Sequence, residues 1–106
     1  MSFDQAADAF SFRRSSDRAR VMITMRVHRV MHPNELAEAC RMDATRLKRV
    51  IFGHPPYYRT ERSPFTLGWI VVVATKDGEV YGITPKGLDA ADELARQGPA
   101  DRGRRA

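Results

Sequence analysis

Two short amphipathic segments between residues 36 and 51 constrain the fold of this chain more than any other feature. Each carries three apolar residues at helical spacing, and so on one helix face: Leu36, Ala37 and Cys40 in the first, and Leu47, Val50 and Ile51 in the second. Asp43 precedes the second segment, where a carboxylate can accept backbone N–H bonds, and Gly53 follows it, where positive φ ends a helix at little cost. The pattern predicts two helices joined by a tight turn.

The outward side of the second helix is polar and basic. Its exposed residues are predicted to be Thr45, Arg46, Lys48 and Arg49. A short helix with one apolar and one basic side, packed across another short helix, suits the DNA major groove. We therefore predict a recognition helix at about residues 43–52.

The segment LAEACRMDATRLKRVI resembles the helix-turn-helix of bacterial and archaeal transcription regulators. Ala37 matches the small residue where the two helices cross, Leu47 and Val50 match the core anchors, and Thr45–Arg46 matches the polar run between the turn and the anchors. The sequence departs from the family at Arg41, which occupies a turn position usually held by glycine. Positive φ at this arginine would cost on the order of 1 kcal/mol.

A β-hairpin is predicted over residues 69–84. The β-branched run WIVVVAT indicates a strand that is covered on both faces, and VYGIT indicates the return strand. Asp77-Gly78 suits a two-residue turn, with Lys76 and Glu79 facing each other across it. Thr84-Pro85 then predicts the start of a final helix that ends near residue 97.

The segment VYGITPKG resembles the Tyr-x-Leu-Thr-x-x-Gly passage that leaves the wing of many winged-helix regulators. The two resemblances together cover about residues 18–96. They imply an α+β winged helix-turn-helix, with a three-helix core, a C-terminal β-hairpin wing at 69–84 and a final helix.

The predicted domain, residues 16–97, lies between an N-terminal arm at 1–15 and a basic tail at 98–106 that we expect to be disordered. Its first helix, at about 18–28, has apolar residues on two faces. Such a helix is buried either under the fold or against a second subunit. Together with the phenylalanines of the arm, it favours a homodimer whose interface draws on residues 3–31 or 88–96.

The loop at residues 54–64, HPPYYRTERSP, contains three prolines that exclude a helix or a central strand. Its two tyrosines, Tyr57 and Tyr58, can stack on unpaired bases, or can pack against the hairpin with their hydroxyl groups in water. Phosphate contacts are predicted for Arg59 and Arg62 in this loop and for Lys76 at the wing tip.

Composition limits the classes of function. The chain of 106 residues carries a net charge of +5, which favours a polyanionic partner, and its single cysteine fits a reducing compartment. It contains no apolar run of membrane-spanning length and no signal-peptide pattern, so we expect a cytoplasmic protein that does not enter a membrane. No separate small-molecule domain is expected at this length.

Catalytic and metal sites are not predicted. The sequence offers no nucleophile with a plausible base, no glycine-rich phosphate loop and no close pair of acids in a helix-strand context. His28, His32, His54 and Cys40 are the possible metal ligands. His28 and His32 are four residues apart, but Pro33 and the helix end near His28 remove the shared face that this spacing needs, and Cys40 points inward. We expect no enzyme activity, cofactor or metal.

The sequence therefore predicts a homodimeric, sequence-specific regulator of transcription that binds double-stranded DNA. Two alternatives stay open. One is a winged-helix module for protein–protein contact, and the other is a protein that binds RNA or single strands through the loop at 54–64.

Overall fold

The computed structural model describes residues 17–97, and its elements follow the predicted order of three helices, a hairpin and a last helix. The elements are α1 (17–28), β1 (Val30–Met31), α2 (Pro33–Ala39), α3 (Ala44–Phe52), a 3-10 turn (Thr60–Arg62), β2 (Ile70–Thr75), β3 (Gly78–Ile83) and α4 (Pro85–Gln97). The predictions for the arm and the tail concern residues outside the described range.

The residues predicted to begin and end α3 do so in the structure. The Asp43 carboxylate accepts a hydrogen bond from the Arg46 backbone N–H at 2.7 Å, and Gly53 ends the helix with φ at +94°. Arg41 adopts φ of +58° in the turn between α2 and α3, so the arginine takes the left-handed conformation that glycine usually provides. The tight turn between the two helices is thus formed without glycine.

The three strands form an antiparallel sheet in the order β1-β3-β2. Tyr81 of β3 lies between Met31 of β1 and Val72 of β2 in one row of the sheet. Because paired residues share a face, this row points to the core, where Tyr81 is fully buried. The two-residue strand β1 therefore attaches the hairpin to the helices.

The prediction that β2 is covered on both faces is wrong. Ile70 is buried, whereas Val71 and Val73 are 43% and 46% exposed. The strand alternates between core and water at its base and is exposed on both faces toward the tip. Only the base of the hairpin lies against the helices, so a continuous apolar sequence did not require continuous burial.

The hairpin turn also differs from its prediction. Thr75 and Gly78 form the last pair, so Lys76 and Asp77 are the two loop residues, and Ala74 is the residue opposite Glu79. The Thr75 hydroxyl stabilises this register, because it donates to the Gly78 carbonyl and accepts from the Asp77 N–H. Side-chain bonding by threonine outweighs the preference of Asp-Gly for the central positions.

One core joins the helices to the sheet. Its largest buried side chains include residues of every layer: Met22, Met25, Leu36, Leu47, Ile51, Ile70 and Tyr81. Val21 and Met25 form the second apolar face of α1, and both are fully buried, so neighbouring elements of the same chain cover that face. The described chain itself accounts for the second apolar face of α1.

The start of α4 explains the glycine of the VYGITPKG segment. A Cβ at Gly87 would lie 2.1 Å from the Trp69 carbonyl oxygen, so only glycine permits this approach of helix to strand. The Thr84 hydroxyl caps the helix, since it accepts from the Gly87 N–H at 2.9 Å and donates to the Gly68 carbonyl. With the hairpin placed beside a three-helix core, the architecture is an α+β winged helix-turn-helix, as predicted.

Candidate nucleic-acid interface

The basic side of α3 is exposed to solvent. Thr45, Lys48 and Arg49 all lie on it, whereas Leu47 and Val50 point to the core. Residues at a 3.6 period divide in this way when one helix face packs and the other is free. The structure therefore brings three of the predicted DNA-binding side chains together on one exposed helix face.

Arg46 is held differently from its neighbours. Its guanidinium donates to both carboxylate oxygens of Asp17, from Nε at 2.8 Å and from a terminal nitrogen at 2.6 Å. The Asp17 side chain is fully buried and the Arg46 side chain is 26% exposed. This bidentate ion pair connects α3 to α1 and occupies the end of Arg46 that would otherwise reach a base or a phosphate.

Tyr58 completes this buried network. Its hydroxyl donates to Asp17 at 2.9 Å, which joins the proline loop to α1 and α3. Burial, and then the bond to the Asp17 carboxylate, raise the pKa of the Tyr58 hydroxyl, while the bond to Asp17 raises the pKa of Arg46. The sequence-based expectation of a solvated tyrosine hydroxyl does not fit Tyr58.

The sequence reasoning missed the structural role of Asp17, which lies at the N-terminus of α1. A lone aspartate at the start of an amphipathic helix usually serves as a cap or lies in water. Its partners Arg46 and Tyr58 lie 29 and 41 positions away, and no spacing rule connects them.

The remaining predicted contacts lie at two other places. Arg59 forms an exposed ion pair with Glu61 at 2.7 Å, and Arg62 lies exposed at the end of the 3-10 turn. Lys76 is exposed at the hairpin tip beside Asp77. The structure thus separates the predicted phosphate contacts into a loop group near α1 and a single lysine on the wing.

No group of three or more potential metal ligands among His, Cys, Asp and Glu occurs within residues 17–97. Cys40 is buried, and its thiol lies 3.6 Å from the Thr24 hydroxyl. Burial raises the pKa of the Cys40 thiol, which disfavours the reactive thiolate. In the same range, no helix is both long enough and apolar enough to cross a membrane.

Comparison with known protein families gives a match over most of the chain. The model of the family described as EarA-like matches residues 9–94. The chain belongs to the EarA-like family. A search of curated proteins finds no match to this EarA-like sequence.

One solved structure resembles the protein in fold. It is the crystal structure of the MarR family transcriptional regulator SPO1453 from Silicibacter pomeroyi DSS-3, with a TM-score of 0.62 and 20% sequence identity. The alignment covers 93% of this chain and 67% of that one. This similarity supports the winged-helix fold described for residues 17–97 of the EarA-like chain.

Proposed function

We propose that the protein is a sequence-specific regulator of transcription that binds double-stranded DNA through α3. The observation that carries the proposal is the exposed face of Thr45, Lys48 and Arg49, directly opposite a buried apolar face. In a helix-turn-helix, the second helix enters the major groove with such a face. The fold similarity to a protein titled as a transcriptional regulator supports the same function.

Each side chain in the proposed interface has a chemical role. Lys48 and Arg49 donate to guanine acceptors or to phosphate oxygens, and Thr45 contacts a base edge or a thymine methyl group. Lys76 on the wing and the loop arginines contact backbone phosphates. Arg46 has a positioning role, because its bond to Asp17 fixes the angle of α3 relative to α1.

We further propose that the regulator is a cytoplasmic homodimer. A single module of this size contacts only a few base pairs, and two-fold symmetry doubles the contact area on a palindromic site. The net charge of +5 favours association with DNA of any sequence. Contacts to the base edges then select the DNA sequence that is bound.

The test begins with selection of a preferred duplex from a random pool by the parent protein. Lys48→Ala and Arg49→Ala are then compared with Lys86→Ala, which removes an exposed positive charge from α4. Loss of a base contact should weaken binding to the preferred duplex by roughly 1–3 kcal/mol and relax specificity. Loss of a phosphate contact should weaken binding to all duplexes alike and lower the salt slope by about one unit.

A control melt should place all three variants close to the parent, because the substituted side chains are exposed. Lys86→Ala should reproduce parental binding. Duplex affinity that is unchanged in a folded Lys48→Ala/Arg49→Ala double variant contradicts the proposal.

A protein–protein module is the second candidate, favoured by one observation. Val30, Val71 and Val73 are exposed on the face of the sheet opposite the core, and Val27 is 71% exposed nearby in the chain. Phe52, the apolar residue at the C-terminal end of α3, packs edge-on against Phe65, with the ring centres 5.0 Å apart. If no duplex is selected, this sheet face becomes the leading candidate for function.

A further inference from the structure

A cleft of about 280 Å³ opens beside α3, where its C-terminal half meets α1 and the proline loop. Three arginines, Arg18, Arg59 and Arg62, line it together with Tyr57 and Ser63, and no acidic side chain within residues 17–97 does so. Val50 and Tyr58 add apolar surface. The charged side chains that the described part of the chain contributes to this concave site are therefore all positive.

The carboxylates next to this cleft are already engaged. Asp17 accepts three hydrogen bonds, two from Arg46 and one from Tyr58. Glu61 pairs with Arg59 at 2.7 Å. Glu61 also interacts with the charge of Arg62, but the two carboxylates face four arginines, Arg18, Arg46, Arg59 and Arg62, so positive charge remains in excess.

Contacts with Trp69 and with the Arg62 backbone hold the Arg18 side chain close to Arg62. Its guanidinium carbon lies 5.0 Å from the centre of the Trp69 ring, and a terminal nitrogen donates to the Arg62 carbonyl at 2.9 Å. Burial, and then the charge of Arg62, lower the pKa of Arg18. Like charges held together in a concave site are stabilised by a bound anion.

We propose that this cleft binds an oxyanion of the phosphate class, with Arg18 and Arg62 as its charged donors. Guanidinium groups match phosphate oxygens in geometry as well as in charge. The phosphate group belongs either to the DNA backbone or to a free small molecule. Binding of the free anion does not depend on base recognition by α3, so the two proposals can fail separately.

The experiment is an NMR titration of the ¹⁵N-labelled full chain with inorganic phosphate, against chloride at equal ionic strength and without DNA. We expect saturable amide shifts at residues around the cleft, with a dissociation constant in the millimolar range that suits a few exposed charged donors. Arg62→Gln should weaken binding about tenfold or more, because one charge-assisted donor is lost. Its fold should persist, since the structural bond at this residue uses the backbone carbonyl.

Arg96→Gln is the matched control, because it removes one exposed positive charge from the last turn of α4, at a residue that does not line the cleft. It should leave phosphate affinity within about twofold of the parent, since exposed charges farther apart than about 10 Å are largely screened at moderate salt. Absence of saturation in the parent, or equal weakening by both variants, overturns the proposal. Should Arg62→Gln lose its dispersed amide spectrum, Arg18→Gln provides the comparison, because it removes the other proposed donor.

Duplex binding in phosphate and in chloride buffers of equal ionic strength then identifies the source of the phosphate group. Competition by free phosphate in the parent, lost in Arg62→Gln, assigns the cleft to the DNA backbone. Unchanged duplex affinity beside saturable phosphate binding assigns it to a free small molecule.

Discussion

Replacement of Arg46 by alanine should destabilise the protein far more than replacement of any other basic residue of α3. The Asp17 carboxylate is fully buried and takes two of its three hydrogen bonds from the Arg46 guanidinium, at 2.6 and 2.8 Å. Without Arg46, the Tyr58 hydroxyl is the one hydrogen-bond donor to this buried carboxylate that remains within residues 17–97. The folded state then contains a poorly compensated carboxylate.

The size of the effect follows from the burial of the pair. Removal of one partner from a buried ion pair costs about 3–5 kcal/mol. Because the Arg46 side chain is 26% exposed, water can enter the vacated space, and we expect a value near the lower end, about 3 kcal/mol. Arg49→Ala, three residues along the same helix but exposed, should change the free energy of unfolding by less than about 0.5 kcal/mol.

Urea denaturation measures both variants, with the midpoint and the slope compared separately. A double-mutant cycle with Asp17→Ala should give a coupling free energy on the order of 1–3 kcal/mol, since removal of both partners leaves no isolated charge. The salt slope for duplex binding should fall in Arg49→Ala and stay parental in folded Arg46→Ala. If Arg46→Ala were as stable as Arg49→Ala, the buried ion pair would not hold α3 as we argue.

Three further outcomes are expected. Val71→Ala should lower the free energy of unfolding by less than about 1 kcal/mol, whereas Ile70→Ala should lower it by about 2–5 kcal/mol because Ile70 is buried. Equal losses in the two variants would refute the exposure pattern of β2. Alkylation of Cys40 should be at least about a hundredfold slower in buffer than in denaturant, since the buried thiol reacts only after opening; similar rates would refute its burial. Sedimentation at micromolar concentration should give a dimer, and a 12.0 kDa monomer would contradict that proposal.

The ends of α3 and of α4 were predictable from the sequence. Asp43 and Gly53 act on backbone groups within three or four positions of themselves. Pro85 similarly begins α4, which ends at Gln97 as predicted. Such signals are local, so they depend little on the rest of the fold. The exposed positions of Thr45, Lys48 and Arg49 follow from the same helical period.

The strand and turn details were only partly predictable. Apolar composition identified β2, but whether Val71 faces core or water depends on how far the helices extend beneath the hairpin. The turn register depended on the Thr75 hydroxyl, which competed with the preference of the Asp-Gly pair. The apolar residues of a segment can identify a strand, but they do not specify which of its faces are buried, because burial depends on the elements that pack against it.

The candidate interface was only partly predictable from the sequence by itself. It determined a basic face on α3, since helical spacing alone divides Lys48 and Arg49 from the apolar residues. Only the tertiary structure assigned Arg46 to the fold, because its partner Asp17 is 29 positions away in the chain. The cleft beside Arg18 and Arg62 likewise exists only once α1 packs against the proline loop. Charge is a property of the sequence, whereas the availability of a charge depends on which side chains the fold brings to it.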